Sequence, residues 1–295
     1  MSGFLYSTES ACHTSPTGCY DRIRWIPNGQ TTRPRGIRTT PMSTAIIMIY
    51  TKEGFVAASD GFGNRSKGAP SLEEQKIFDT SGIGFTLIYG LSGAVSLPDK
   101  DADGNEIDWF KPIYSQVASE LKSIPIPNLE EYADLFVAKV GNKIHKEIAN
   151  TTDRWADNPH TLRMQFVGYF YGVPGMAERV LTYCRSGFSV PCKITCSPAR
   201  FANSLRVGYD EVAEILAHDK DNNFRDFRTE AWKKVWQRDE NISLGEAIDA
   251  AKKYVWACAS DAALQFDPQK IKNIGGQLFL ATLTPAVNWI EPRKS

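Results

Sequence analysis

Apolar residues are not spread evenly along the chain. Thr44-Ala-Ile-Ile-Met-Ile-Tyr50 is an unbroken apolar run rich in β-branched residues, which predicts a buried strand. Lys52-Glu53-Gly54 supplies a turn, and Phe55-Val-Ala-Ala-Ser59 predicts the returning strand of a hairpin. Asp60-Gly61-Phe62-Gly63-Asn64 then breaks the pattern. Ile83 to Tyr89 predicts another strand, with Gly90-Leu91-Ser92-Gly93 as a small-residue turn after it.

The period then changes. Helices are predicted over Phe110 to Leu121 and over Asn128 to Ile148. In the second, Leu129, Tyr132, Phe136, Val140 and Ile144 fall on one face, and Asn128 with Glu131 forms a capping box. Strand character returns at Arg163–Phe170, Glu178–Cys184 and Pro191–Thr195. Tyr209–Ala217 and Arg225–Arg238 read as helices, and Ser243-Leu-Gly-Glu246 caps another that runs to Cys258. Gly275-Gly276 precedes a last strand, Gln277–Leu283. Helices and strands come in blocks and do not alternate singly, so a doubly wound parallel sheet is disfavoured. The expectation is an α+β protein of one domain, a four-layer αββα sandwich with two sheets between helix pairs.

Composition changes this picture in one place. The 295 residues carry 34 basic and 34 acidic side chains, which removes the electrostatic case for a nucleic-acid or anionic-membrane partner. The balance is local, however. Residues 1–41 hold five Arg and two acids (5 − 2 = +3), so residues 42–295 hold 29 basic and 32 acidic residues (29 − 32 = −3). The same first 41 residues contain 19 Ser, Thr, Gly and Pro. Residues 1–42 are therefore expected to be a polar, basic leader, either a propeptide or an upstream stretch foreign to the natural protein, and residues 43–295 the folded domain. No secretory signal is visible. The uncharged run Thr80–Pro98 is broken by four glycines and reads as a strand and turn, not a membrane helix. A cytoplasmic location is the expectation.

Six cysteines are too sparse for a disulfide scaffold. Cys192 and Cys196 are four apart, but no second pair or nearby His completes a zinc set, so reduced thiols packed in strands are expected. Asp99-Lys-Asp101-Ala-Asp103-Gly104 begins like a calcium loop, yet its twelfth position is Phe110 and the EF-hand pattern fails. The four histidines, His13, His145, His160 and His218, have no ligand spacing, and His145 among Lys143 and Lys146 reads as a solvated face. Trp232, Trp236 and Trp256 read as core or subunit contacts.

Certain residues carry a resemblance. Lys52-Glu-Gly-Phe-Val-Ala-Ala-Ser-Asp60-Gly61, Gln75-Lys76-Ile77, Leu91-Ser92-Gly93, the Ser-Leu-x-Glu-Ala helix start at 243–247 and Gly275-Gly276 resemble proteasome β-type and bacterial proteasome-like subunits, members of the N-terminal nucleophile hydrolase superfamily. The resemblance spans roughly residues 43–292 and is weakest in the middle. It implies an Ntn-hydrolase-like fold with a nucleophile, an Asp and a Lys about sixteen positions apart, which falls on Thr44, Asp60 and Lys76. The implied reaction is threonine or serine protease chemistry on peptide or other amide bonds. The hydroxyl attacks and the residue's own α-amine, with an unperturbed pKa of about 7.7–8.0, takes the proton. Lys76 and Asp60 set the electrostatics and the Gly93 N–H serves as oxyanion donor. No metal or organic cofactor is implied. The partners implied are a peptide or unfolded-protein substrate and further copies of the chain, in rings or stacked rings.

Two departures qualify what the resemblance implies. Thr44 lies behind 43 residues, while the chemistry needs a free amine. If Met42 is the true start, its removal exposes Ser43, so Ser43 stands as the rival nucleophile. The family also places a Ser-Gly before the helix matching Tyr209–Ala217 and an Asp and Ser before the final Gly-Gly. Those places hold Gly208-Tyr209 and Lys272-Asn273-Ile274, which favours the alternative of an inactive structural subunit. A small-amide hydrolase on the same fold is the third reading.

Overall fold

The computed structural model describes residues 44–63, 71–93, 110–149, 154–196, 204–266, 274–285 and 287–290. The first hairpin forms where the apolar runs place it. Strand β1 (Ile46–Thr51) pairs antiparallel with β2 (Gly54–Ser59), and every residue of both is buried. The turn is closed by Thr51, whose Oγ1 accepts from Gly54 N–H.

Strand β3 (Ile77–Gly82) and β4 (Phe85–Gly93) open a second sheet. Helices α1 (Phe110–Leu121) and α2 (Leu129–Ala149) follow, and then β5 (His160–Phe170), β6 (Val173–Cys184) and β7 (Gly187–Cys196). The chain next crosses to β8 (Ser204–Val207), α3 (Asp210–His218), α4 (Glu230–Gln237), α5 (Leu244–Ala259), β9 (Phe279–Thr284) and β10 (Val287–Ile290). Among the described residues both sheets have five strands, ordered β10-β9-β2-β1-β8 and β3-β4-β5-β6-β7, and every pairing is antiparallel.

Three apolar layers hold these elements together, and strand parity assigns the residues to them. Along β1, Ala45, Ile47 and Ile49 face α3, α4 and α5 together with Trp232, Tyr254 and Val255. Ile46, Met48 and Tyr50 face the other sheet and meet Ile88, Val167 and Met176. Leu87, Tyr89, Phe166 and Leu181 turn outward to Val117, Tyr132, Phe136 and Val140 of α1 and α2. The order helix, sheet, sheet, helix is the αββα sandwich expected, with three helices on one outer face in place of a pair. All the described residues fall in one compact unit. Among them, no helix is long and apolar enough to cross a membrane.

Several elements differ from the sequence expectation. Gly90–Gly93 is not a turn, because β4 continues through it, paired with β5 as far as Gly93 and with β3 as far as Gly90. Gly90 is there for clearance: a Cβ on it would stand 2.8 Å from Met48 Cε of the opposite sheet. Strand β6 starts before its expected limit because Tyr171 and Gly172, at φ 50° and 80°, make a two-residue hairpin loop after β5, which ends at Phe170 as expected and starts earlier, at His160. Arg225–Arg238 is not one helix. Thr229 is extended there and accepts from Trp232 N–H, so the chain forms a short 3-10 turn (Asn222–Phe227) and then α4.

Candidate active site

The site grows from the open end of the first hairpin. Past the last ladder pair, Ile46 with Ser59, one more bond forms from Asp60 N–H to Ala45 C=O, 3.0 Å. That bond fixes the Asp60 side chain beside the head of β1. Its Oδ1 accepts from Ala45 N–H at 2.8 Å and from Lys76 Nζ at 2.8 Å. Its Oδ2 accepts from Phe62 N–H and Gly275 N–H, both at 3.2 Å. A buried carboxylate with four donors is well satisfied, as an ion at this depth must be.

Glycines let the chain deliver those donors. A Cβ on Gly61 would lie 2.7 Å from the carbonyls of both Gln277 and Leu72, and one on Gly276, at φ +72°, would lie 2.5 Å from Leu72 O. Their absence lets 71–76 run against 274–277, with Gln277 N–H bonded to Leu72 C=O and Glu74 N–H to Gly61 C=O. Lys76 enters through that passage. It is held at its backbone by the bond from Leu91 N–H of β4 to its carbonyl, 2.9 Å.

The side chains of Lys76 and Asp60 are 8% and 1% exposed. Burial lifts the Asp60 carboxyl above the ordinary carboxylate range, and Lys76 and the backbone donors work against that rise. Burial likewise draws Lys76 below the ordinary lysine range, opposed by Asp60. The pair is thus a sealed charge couple one peptide from Thr44, which is itself 5% exposed.

Of the residues singled out in the sequence, the structure brings Thr44, Asp60 and Lys76 to one end of the two sheets. Gly93 ends β4 near them, exposed and at φ +102°. N–H groups alternate in direction along a strand, so Gly93 N–H points to the same side of β4 as Leu91 N–H, the side of the segment leading into β3, and away from β5. Ser43 and the Asp99–Gly104 stretch lie outside the described residues, as does all of 94–98.

Other candidates do not gather. Among the described residues, no group of three or more His, Cys, Asp or Glu is placed to hold a metal ion. Cys192 and Cys196 sit four residues apart on β7, about 13 Å along a strand, too far to share one. His160 packs against Tyr183 and His218 against Trp236. His145 is half-buried on α2, not on an open face. Trp232 stacks on Tyr254 at 5.1 Å in the core, whereas Trp256 is exposed.

Position 208, where the resemblance implies a serine, has a steric reason to lack one. Gly208 is at φ +141°, and a Cβ on it would stand 2.6 Å from Tyr254 Oη. Sequence reading passed over Gly275 as a ligand of Asp60, and over Ser59 and Ser92. The double glycine was the available signal for the first, while an isolated strand serine gives none.

No family model matches the chain, and no curated protein does. Solved structures similar to it include Anbu from Hyphomicrobium sp. strain MC1, as a Gly-1 mutant, at TM-score 0.47 and 12% identity over 85% of this chain and 86% of that one. The helical assembly of the Anbu complex from Pseudomonas aeruginosa gives 0.49 and 13% over 84% and 86%. Anbu (ancestral beta-subunit) from Yersinia bercovieri gives 0.48 and 13% over 85% and 86%. Likeness at this level assigns no family. The membership implied by the short motifs, a proteasome β-type subunit of the N-terminal nucleophile hydrolases, is therefore corrected. The physical reason is that an Asp-Gly at a strand end and a Lys before a strand recur in unrelated sheets. Such motifs fix where side chains meet, not descent. What the chain does define is its architecture, an α+β sandwich with a buried ion pair at the head of its first strand.

Proposed function

We propose that the protein is an amide-bond hydrolase whose nucleophile is the Thr44 hydroxyl, acting once Thr44 is the first residue of the chain. One observation carries the reading: the Asp60–Lys76 pair is sealed beside the head of β1, and its carboxylate also holds Ala45 N–H. A hydroxyl needs a base and a nearby positive charge to react near neutral pH. Here the free α-amine of Thr44 is the base, and Lys76 favours the ionised hydroxyl electrostatically. Asp60 keeps Lys76 charged and in place. Gly93 N–H is the donor for the oxygen that becomes negative as the carbonyl is attacked.

The reading places the amine specifically. Ala45 directs both its N–H and C=O to Asp60, so by alternation the Thr44 nitrogen points to the opposite side, toward β8. With Ser43 as the first residue, the hydroxyl shifts one position and the hairpin carries one extra residue. A peptide substrate and self-association belong to the same proposal.

The test is intact mass and N-terminal sequencing of protein from the full reading frame, followed by assay on fluorogenic peptides. A chain beginning at Thr44 and turning over peptides supports the reading, and one beginning at Ser43 transfers the nucleophile to that residue. A chain that retains residues 1–42, assembles and is inert overturns the enzyme reading in favour of a structural subunit. Hydrolysis of small amides but not peptides redirects the substrate class.

A further inference from the structure

Ser92 lies on β4 at 1% exposure, and its Oγ has no hydrogen-bond partner among the described residues. Buried hydroxyls are nearly always bonded, and an alanine at such a point would cost the fold less. A buried hydroxyl with no partner among the described residues is available to bond a group at the site.

Strand parity says where that hydroxyl faces. Ile88 turns into the layer between the sheets, and so does Gly90, whose missing Cβ is filled by Met48 and Ile46 of β1. Ser92 follows on the same face, two residues closer to the end where Leu91 N–H binds Lys76. On the opposite sheet Met48, Ile46 and then Thr44 share a face and run toward the same end, where Ala45 meets Asp60. The two hydroxyls therefore approach the ion pair from opposite sheets. Ser59 Oγ is also buried and without a partner, but it pairs with Ile46 in the ladder, one step behind Thr44.

We infer that Ser92 is a positioning residue for Thr44, its O–H donating to Thr44 Oγ1. This rests on the reading of Thr44 as nucleophile. The bond orients the Oγ1 proton toward the α-amine and stabilises negative charge as it develops on that oxygen.

The experiment follows acylation of the protein by a β-lactone probe using intact mass. Thr44 Oγ1 attacks the lactone carbonyl and the ring C–O bond breaks. The hydroxyl proton, carried by the amine, ends on the freed ring oxygen, so the adduct gains the whole mass of the probe. Ser92→Ala is expected to lower the maximal acylation rate at least tenfold with probe affinity unchanged, while raising Tm. Ser92→Thr, which keeps a hydroxyl, is expected to restore most of the rate. Ser59→Ala is expected to raise Tm without changing the rate. If Ser92→Ala acylates as fast as the wild type, the inference is wrong although Thr44 remains the nucleophile. If Ser59→Ala slows acylation equally, the effect is a general loosening of the layer and the inference is again wrong. A wild-type protein that is not acylated at Thr44 overturns both readings together.

Discussion

Lys76 Nζ and Asp60 Oδ1 stand 2.8 Å apart, although sixteen residues and a sheet boundary separate them along the chain. Asp60 follows β2 and Lys76 precedes β3, so their bond joins the two sheets at one end. Charges at this depth repay their loss of water only while both partners are present.

Replacing Lys76 by Met leaves Asp60 buried without a cation and is expected to cost about 3–5 kcal/mol. The pH dependence has a definite sign. Asp60 already titrates above the ordinary range, and loss of Lys76 raises it further. A carboxyl whose folded value exceeds its unfolded value holds its proton more tightly when folded, so the variant gains stability as pH falls through the folded value. Urea melts at pH 5 and pH 8 should show the larger deficit at pH 8.

A second ion pair behaves in the opposite sense. Arg179 on β6 is fully buried and binds Asp134 of α2 at 2.7 Å, while Lys193 takes the other carboxylate oxygen at 3.1 Å. Burial alone would lift Asp134, but these two cations hold it below the usual carboxylate range. Its contribution is then present above the unfolded value and lost as pH falls through the folded one. Thermal melts should show Asp134→Asn losing less stability than the wild type on acidification.

Gly93 and Gly172 form a matched pair for testing the backbone at the site. Both have positive φ, but a Cβ on Gly93 would strike Thr161 O at 2.3 Å, whereas Gly172 has open space within 4 Å. Gly172→Ala should cost about 1 kcal/mol of backbone strain, and Gly93→Ala clearly more, since a carbonyl must also move. Chemical denaturation of the two variants reads the difference directly.

Helix α5 begins with a full capping box. Ser243 accepts from Glu246 N–H, and Glu246 accepts from Ser243 N–H while bonded to Lys234, whose hydrogen bond leads in holding its carboxyl down to about 2. Ser243→Ala should cost about 1 kcal/mol and Ser243→Gly only a few tenths, measured by urea denaturation.

The elements legible in the sequence were those with a strong period or a cap. Leu129, Tyr132, Phe136, Val140 and Ile144 face the core of α2 as spaced, and Ser243 caps α5 as read. Strands β3, β8 and β10 were not, because six residues such as Ile-Phe-Asp-Thr-Ser-Gly carry no pattern apart from their neighbours. Gly90 misled because the same lack of a Cβ serves a turn or a close approach between sheets. Nothing in the residues around Asp60 and Lys76 predicts their meeting; it is an expectation only of the resemblance, whose spacing picks out both positions. The orphan hydroxyls of Ser59 and Ser92 were not anticipated, since being unbonded is a property of surroundings and not of sequence.

The bond from Gly275 N–H to Asp60 Oδ2 spans 215 residues. A growing chain that has already made its first hairpin and extended past Lys76 still lacks one of the four donors of the Asp60 carboxylate. That donor arrives only when the segment leading into β9 has been made and β9 docks along β2. Closing so long a loop belongs to the slow, late part of folding. The full donor set of the Asp60 carboxylate therefore exists only in the assembled sandwich, and a chain cut before Gly275 leaves one side of Oδ2 without its backbone donor.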